Sequence, residues 1–298
     1  MSDFSLPCKF ILKPVLVTFA KTSDMTECYG SYFIHNGKLQ PSEIFDNSLV
    51  YEGESVYEVL RMTSGIPWFF NDHLNRLRGS AKSRKKVMLA TPEQIKGDIA
   101  LLSKAEKKKE VNLKLVFNYN GRTGNYLLYY IEPVYPDREQ YEKGVKGVLF
   151  HAERKDPETK IINHKLRSEI YHKLILETAY EALLVNREGL ITEGSRSNIF
   201  FIRDNVLYTA PDKMVLGGIT RKHILDISTE TGIKVVFEAV KESEIKRFES
   251  VFMTGTSPIV LPFRLIGNIS FDVSNPVMPE LRKLYIRMAE KSMEEFGR

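Results

Sequence analysis

The sequence predicts an α/β protein in two parts, a smaller N-terminal α/β domain followed by a larger C-terminal one. Three observations carry that expectation. The chain has 298 residues, enough for two domains. Strand-like and helix-like runs are interleaved along it, with turn signals between them. A polar stretch with an internal proline, VYPDREQYEKG, interrupts the pattern near the middle. Residues 28–134 therefore read as the small domain, 135–144 as the interdomain loop and 145–298 as the large domain. Residues 1–27 read as an N-terminal extension, with LVTF (16–19) as a strand candidate.

Each element has its own signal. SYFIHNGKL carries Asn36-Gly37, a strong short cue for a hairpin. LVYEGESVYEVLRM and IPWFF read as two strands joined through Gly65. Asn71 or Asp72 can cap a helix reaching about Val87, with Leu74, Leu77 and Ala81 on one face. TPEQIKGDIALLSKAEKKK reads as a second helix, with Thr91 as cap and Pro92 at its first position. VNLKLVFNY and NYLLYYIEP read as strands meeting at Asn120-Gly121. In the second half VKGVLFHA is a strand. Residues 168–182 form a helix with Ile170, Leu174 and Thr178 at four-residue spacing. Short strands follow, with turns at Asn186–Gly189 and Asp204-Asn205. Gly217-Gly218 leads into a helix over 220–231 that Gly232 ends. IKVVFEAV and SVFMTG are strands. A last helix, 279–296, turns Leu281, Leu284, Tyr285, Met288 and Phe296 inward.

Composition narrows the function. The chain is 43% hydrophobic and 27% charged, and its net charge of +5 is spread rather than blocked. That suits small anionic molecules better than nucleic acid. The basic clusters at 82–86 and 104–109 have no interleaved aromatics and read as solvated helix faces. No apolar run approaches the roughly 18 residues of a membrane span. MSDFSLPCKFILKP, with Asp3 and Pro7, makes a poor signal peptide. Two cysteines, Cys8 and Cys28, make no disulfide framework, which favours a reducing compartment, the cytoplasm by default. Six histidines and two cysteines show no metal-ligand spacing, so no metal is expected.

The chemistry concentrates between Lys160 and Asn198. A lysine and a carboxylate on neighbouring strands suit pyridoxal phosphate: the lysine carries the cofactor as a Schiff base, and the carboxylate keeps its pyridine nitrogen protonated. Lys160 precedes the apolar pair Ile161-Ile162, so a buried setting would lower its pKa and free its amine. Its bland alternative is a surface lysine. Glu193 is followed by Gly194, Ser195 and Ser197, small residues that admit a ligand close to the backbone; its bland alternative is a solvated strand end. Gly217-Gly218-Ile219-Thr220 precedes a helix whose N-terminus can receive a phosphate, or it is an ordinary turn and cap. Thr254-Gly255-Thr256-Ser257 is a second hydroxyl-rich turn after a strand.

Taken together these segments resemble the class IV aminotransferases, the fold-type IV pyridoxal phosphate enzymes. That family includes branched-chain and D-amino acid aminotransferases and aminodeoxychorismate lyase. EGESVYEVLR with NDHLNRLRGSA, KIIN, AYEALLVNREGLITEGSRSNIFFIRDNVLYTAP, LGGITR and FMTGTS occur in the family's order, from Tyr29 to the C-terminus.

The resemblance implies a smaller N-terminal α/β domain, a larger barrel-like C-terminal domain, pyridoxal 5'-phosphate between them, and a homodimer. It implies Lys160 as the Schiff-base lysine and Glu193 at the ring nitrogen. Arg76, Ile219, Thr220 and Thr256 fall at the phosphate. His164 stands where some relatives place a tyrosine on the cofactor's phenolic oxygen. Tyr57, Ser257 and Arg122 are the candidates for substrate contact. The implied reaction is transfer of an amino group from an amino acid, branched-chain-type or D-amino acid-type, to a 2-oxo acid such as 2-oxoglutarate. The alternatives are elimination of pyruvate by an aminodeoxychorismate lyase and, in another class, a non-catalytic metabolite binder.

Overall fold

The computed structural model describes residues 26–120, 123–154, 157–161 and 164–297. The expected strand at 16–19, Cys8, Gly121, Arg122 and Asn163 lie outside these residues. In chain order the elements are β1 (Tyr32–His35), β2 (Lys38–Pro41), α1 (Ser48–Tyr51), β3 (Glu54–Thr63), β4 (Ile66–Pro67), α2 (Phe70–Ser83) and α3 (Pro92–Glu106). There follow β5 (Glu110–Asn120), β6 (Thr123–Ile131), α4 (Arg138–Lys143), β7 (Val145–His151), α5 (His164–Glu177), β8 (Glu181–Val185) and β9 (Leu190–Gly194). The rest are β10 (Asn198–Arg203), β11 (Val206–Thr209), α6 (Ile219–Glu230), β12 (Val235–Phe237), β13 (Val240–Lys241), β14 (Ser250–Gly255), β15 (Ile259–Ile266), β16 (Ile269–Ser270) and α7 (Val277–Phe296).

Two sheets organise these elements. The first is antiparallel, in the order β2-β1-β6-β5-β3-β4. Side chains alternate between the faces of a strand, and β3 and β5 use both faces. Val56, Leu60, Met62, Leu113, Leu115 and Phe117 pack under α2 and α3. Tyr57 and Val116 point the other way, into a smaller cluster with Phe33, Phe45, Val50 and Tyr129. The second sheet is mixed. Its hydrogen-bonded path is open, β12-β11-β10-β14-β15-β7-β8-β9-β13, with β16 beside β15. Pairs β7–β8, β7–β15 and β11–β12 are parallel. Helices α6 and α7 cover one part through Ile224, Ile227, Leu281 and Tyr285 against Phe200 and Phe252. Helix α5 covers β7 and β8 through Ile170 and Leu174.

Most expected elements are present, with informative differences. Asn36 and Gly37 both take positive φ, as a tight hairpin turn requires. Thr91 caps α3 by accepting from the Gln94 N–H, 3.2 Å away. Neither Asn71 nor Asp72 caps α2: the helix starts at Phe70, after Phe69 at φ 50°. Asp72 is drawn instead to Lys222 (2.5 Å) and His223 (2.9 Å) of α6. The strand expected from Leu49 begins only at Glu54, because Ser48–Tyr51 forms a helical turn. The helix expected to reach residue 182 stops at Glu177. Thr178 has φ 51°, and Glu181–Val185 is a strand buried at every position. IKVVFEAV splits into β12 and β13, which pair at opposite ends of the sheet. The polar stretch 134–144 holds α4, closed by a reciprocal Asp137–Gln140 cap. Strand β15 had no recognised signal; Pro262 breaks its apolar run and Ile259 sits at φ 55°.

Candidate active site

The site is assembled where both sheets meet the start of α6. Lys160 lies on the segment beside β3: its carbonyl accepts from the Tyr57 N–H (3.3 Å), and Ile161 bridges to Val56. The Ser80 hydroxyl of α2 lies 3.4 Å from its backbone nitrogen and accepts from it. Its Nζ lies 4.9 Å from the centre of the Tyr57 ring. Burial lowers the Lys160 pKa, and the Arg76 and Arg154 guanidiniums push the same way; Tyr57 and Glu58 oppose them. The net direction favours a neutral amine.

Glu193 is the penultimate residue of β9 and is 2% exposed. One carboxylate oxygen accepts from Arg154 (3.0 Å) and the other from the Leu216 N–H (3.0 Å). Arg154 also donates to the Thr159 carbonyl (3.0 Å), so it ties Glu193 to the residue before Lys160. Burial raises the Glu193 pKa, with Arg154, the Leu216 N–H and Lys160 working against it.

Arg76, from α2, reaches the same loop. Its Nη1 donates to the Gly217 carbonyl (3.0 Å). Its Nε and Nη2 donate to the two oxygens of Glu58 on β3, at 2.8 and 2.6 Å. His73 Nδ1 lies 2.8 Å from the same carboxylate. Burial alone would raise the Glu58 pKa, but Arg76 and His73 bring it down to about 2. Glu58 thus fixes Arg76 bidentately, leaving guanidinium protons to face the start of α6.

That helix start is shaped for close approach. Ile219 and Thr220 open α6 and are buried, and Thr220 Oγ1 lies 3.2 Å from the Tyr285 hydroxyl of α7. A Cβ at Gly217 would meet nothing within 4 Å, whereas one at Gly218 would collide with Asn198 Oδ1. A side chain at Gly218 would displace the Asn198 amide, which donates to the Leu216 carbonyl, whereas Gly217 leaves space open. From the turn after β14, Thr256 Oγ1 donates to the Val59 carbonyl (3.2 Å). Ser257 Oγ accepts from Asn112 Nδ2 (2.9 Å) of β5.

The structure links the segments of Lys160, Glu193, Arg76, Ile219, Thr220, Thr256 and Tyr57 through contacts around β3 and the start of α6, with Ser257 next to Thr256. His164 opens α5. Arg122 lies outside the described residues. Sequence reasoning missed Glu58, Arg154, Arg167 and Lys114. Glu58 and Lys114 had a signal: each is a charged residue inside an apolar strand run, where burial demands a partner. Arg154 and Arg167 gave none.

These donors fit pyridoxal phosphate. A cation beside a helix N-terminus suits the phosphate, a buried carboxylate suits the pyridinium, and a buried amine suits the aldehyde. Among the described residues no group of histidine, cysteine and acidic side chains could hold a metal. No described helix is long and apolar enough to cross a membrane.

Comparison with known proteins points the same way. The family model for amino-transferase class IV matches residues 55–266. The chain is 28% identical over 221 residues to the D-alanine aminotransferase of Bacillus licheniformis, covering 70% of this chain and 78% of that one. It is 25% identical over 257 residues to a putative branched-chain-amino-acid aminotransferase of Methanocaldococcus jannaschii, covering 80% and 87%. The fold is similar to that of a branched-chain amino acid aminotransferase from T.th. solved with pyridoxamine 5'-phosphate. There the TM-score is 0.78 at 23% identity, over 90% of this chain and 97% of that chain.

Proposed function

The chain belongs to the class IV aminotransferases, and we propose that it transfers amino groups within the branched-chain or D-alanine class of substrates that its relatives' names describe. The enzyme is a pyridoxal phosphate-dependent aminotransferase. When bound, the cofactor supplies an aldehyde that takes up the amino group and a pyridinium that accepts electrons from the substrate's Cα.

The chain's own residues divide the remaining work. Lys160 Nζ would hold the aldehyde end of the cofactor and would carry the proton taken from the substrate's Cα. Its lowered pKa raises the share of neutral amine, the form that role requires. Glu193 keeps the ring nitrogen protonated, an electrostatic role that matters most where water is excluded. Arg154 and the Leu216 N–H hold this carboxylate in place. Arg76, aimed by Glu58, and the first residues of α6 would hold the phosphate, with the Thr220 and Thr256 hydroxyls beside it.

One observation carries this reading. Consecutive residues of a single loop contact Glu193 (through the Leu216 N–H) and Arg76 (through the Gly217 carbonyl). The ring-nitrogen partner and the phosphate partner are thereby spaced by one piece of backbone. The test is borohydride reduction of the loaded enzyme followed by peptide mapping. The label is expected on Lys160; a label on Lys165 or any other lysine overturns the assignment. A donor screen against 2-oxo acids, with a lyase assay for pyruvate release alongside, fixes the reaction type. The family resemblance also supports a homodimer, which light scattering on the purified protein checks.

A further inference from the structure

The face of the first sheet that looks away from α2 and α3 carries more charge than the proposed mechanism uses. Lys114, in the middle of β5, has a side chain only 2% exposed. Residues two apart share a face, and Asn112, two positions before Lys114, reaches Ser257 at the cleft. Lys114 Nζ lies 5.3 Å from the centre of the Tyr57 ring, the ring that Lys160 Nζ approaches at 4.9 Å. Those two distances to one centroid keep the two side-chain nitrogens no more than about 10 Å apart. The Arg167 guanidinium lies 5.5 Å from the same ring and donates to the Tyr57 hydroxyl at 2.9 Å. Two cations beyond the reacting lysine thus border Tyr57.

A carboxylate of the chain itself meets them. Glu27 Oε1 accepts from Lys114 at 2.6 Å, and Glu27 Oε2 accepts from the Tyr51 hydroxyl (2.9 Å) and the Tyr129 hydroxyl (3.0 Å). Three donors from three elements therefore converge on one carboxylate group, which is how a protein builds a carboxylate-binding site. Glu27 is held there by its backbone: its N–H donates to Asn47 Oδ1 (3.1 Å), and two residues on the Tyr29 N–H donates to the Tyr130 carbonyl (2.7 Å).

The distances suit a substrate. A reacting carbon sits about 3–3.5 Å from its catalytic amine, and a carboxylate about 2.7–2.9 Å from an ammonium that binds it. Both nitrogens border the Tyr57 ring, so a substrate held at Lys160 comes within a short side chain's reach of the donors on Glu27. An amino acid or 2-oxo acid with a distal carboxylate would extend that carboxylate toward the donors that Glu27 occupies.

We propose that Glu27 is a built-in occupant of a distal carboxylate site, so that the enzyme excludes dicarboxylic substrates and selects monocarboxylic ones. This rests on the aminotransferase reading above, and it makes 2-oxoglutarate a poor amino acceptor, against the expectation drawn from the sequence. A neutral side chain avoids both the repulsion of Glu27 and the cost of displacing it from Lys114.

The test compares 2-oxoglutarate with pyruvate and a branched 2-oxo acid as acceptors for the loaded enzyme and for Glu27→Ala. The wild type is expected to favour the monocarboxylic acceptors in kcat/KM. Glu27→Ala is expected to raise the ratio for 2-oxoglutarate by on the order of 10-fold or more, and a further Lys114→Met change to abolish the gain. Wild-type preference for 2-oxoglutarate overturns the proposal without any variant. An unchanged ratio in folded Glu27→Ala overturns it as well. Calorimetric titration with glutarate needs no turnover: binding by Glu27→Ala and not by wild type supports the site, and equal binding refutes it. Absence of transamination with every donor, by contrast, would refute the aminotransferase reading and leave the titration to judge Glu27.

Discussion

Replacing Glu58 by alanine should destabilise the protein by about 3 kcal/mol at pH 7. Its carboxylate is fully buried and satisfies both Arg76 and His73. Burial by itself disfavours the charge, yet the Arg76 guanidinium, with the hydrogen bonds from Arg76 and His73, lowers its pKa from the ordinary 4.5 to about 2. At 1.36 kcal/mol per unit that gap corresponds to about 3 kcal/mol. The figure agrees with the roughly 3–5 kcal/mol typical of removing one partner from a buried pair. Because the folded-state pKa is depressed, the contribution is complete above pH 4.5 and disappears as pH falls toward 2. About half of it should be gone at pH 3. Equilibrium urea unfolding of wild type and Glu58→Ala at pH 7 and pH 3 measures both quantities. Cofactor affinity should fall in parallel, since Arg76 loses the carboxylate that aims it. A difference below about 0.5 kcal/mol at pH 7, the scale of ordinary surface substitutions, would refute the argument. So would a difference that does not shrink at pH 3.

Other expectations follow from the same geometry. Glu193→Gln retains an acceptor for the Leu216 N–H but removes the charge. In cofactor-saturated enzyme with chemistry rate-limiting, kcat should fall on the order of 100-fold, about 2.7 kcal/mol; near wild-type turnover would remove Glu193 from the mechanism. Gly218→Ala drives a methyl into Asn198 Oδ1. It should cost about 1–3 kcal/mol in urea unfolding, as overpacking does, while Gly217→Ala, which meets nothing within 4 Å, should leave stability nearly unchanged.

How much of this was legible in the sequence depended on whether the signal was local. Turns were legible because left-handed backbone restricts the residues that accept it: Asn36-Gly37 and Asp204-Asn205 both take positive φ. The α3 cap was legible because Thr91 and Gln94 satisfy each other within one turn. The α2 cap was not, since Asp72 is spent on an ion pair with residues 150 positions away. The boundary between α5 and β8 was misread because EALLV is apolar at every position after its first, and such a run fits a helix or a buried strand equally well. In the site, short motifs pointed to the residues that meet at the cleft. Glu58 and Lys114 stayed hidden because a charge in a strand shows only that it needs a partner, not which one.

The buried charges also explain why this cleft keeps its shape. Glu58–Arg76, Glu193–Arg154 and Glu27–Lys114 each join different segments of the chain, and each contains a side chain at most 3% exposed. Such pairs seldom add net stability, because desolvation offsets most of their attraction. Their effect is positional. Breaking any of them leaves a charge uncompensated in a poorly hydrated place, so alternative arrangements are penalised more than the native one is rewarded. In the arrangement proposed here, each pair governs one end of the bound molecules. Glu58–Arg76 faces the phosphate, Glu193–Arg154 the ring nitrogen, and Glu27–Lys114 the substrate side chain. The first two would serve any reaction that draws electrons into the ring, so selectivity among side chains falls to the third. Changes of substrate preference should therefore concentrate at Glu27, Lys114 and their tyrosine partners, and changes in cofactor retention at Glu58 and Arg76.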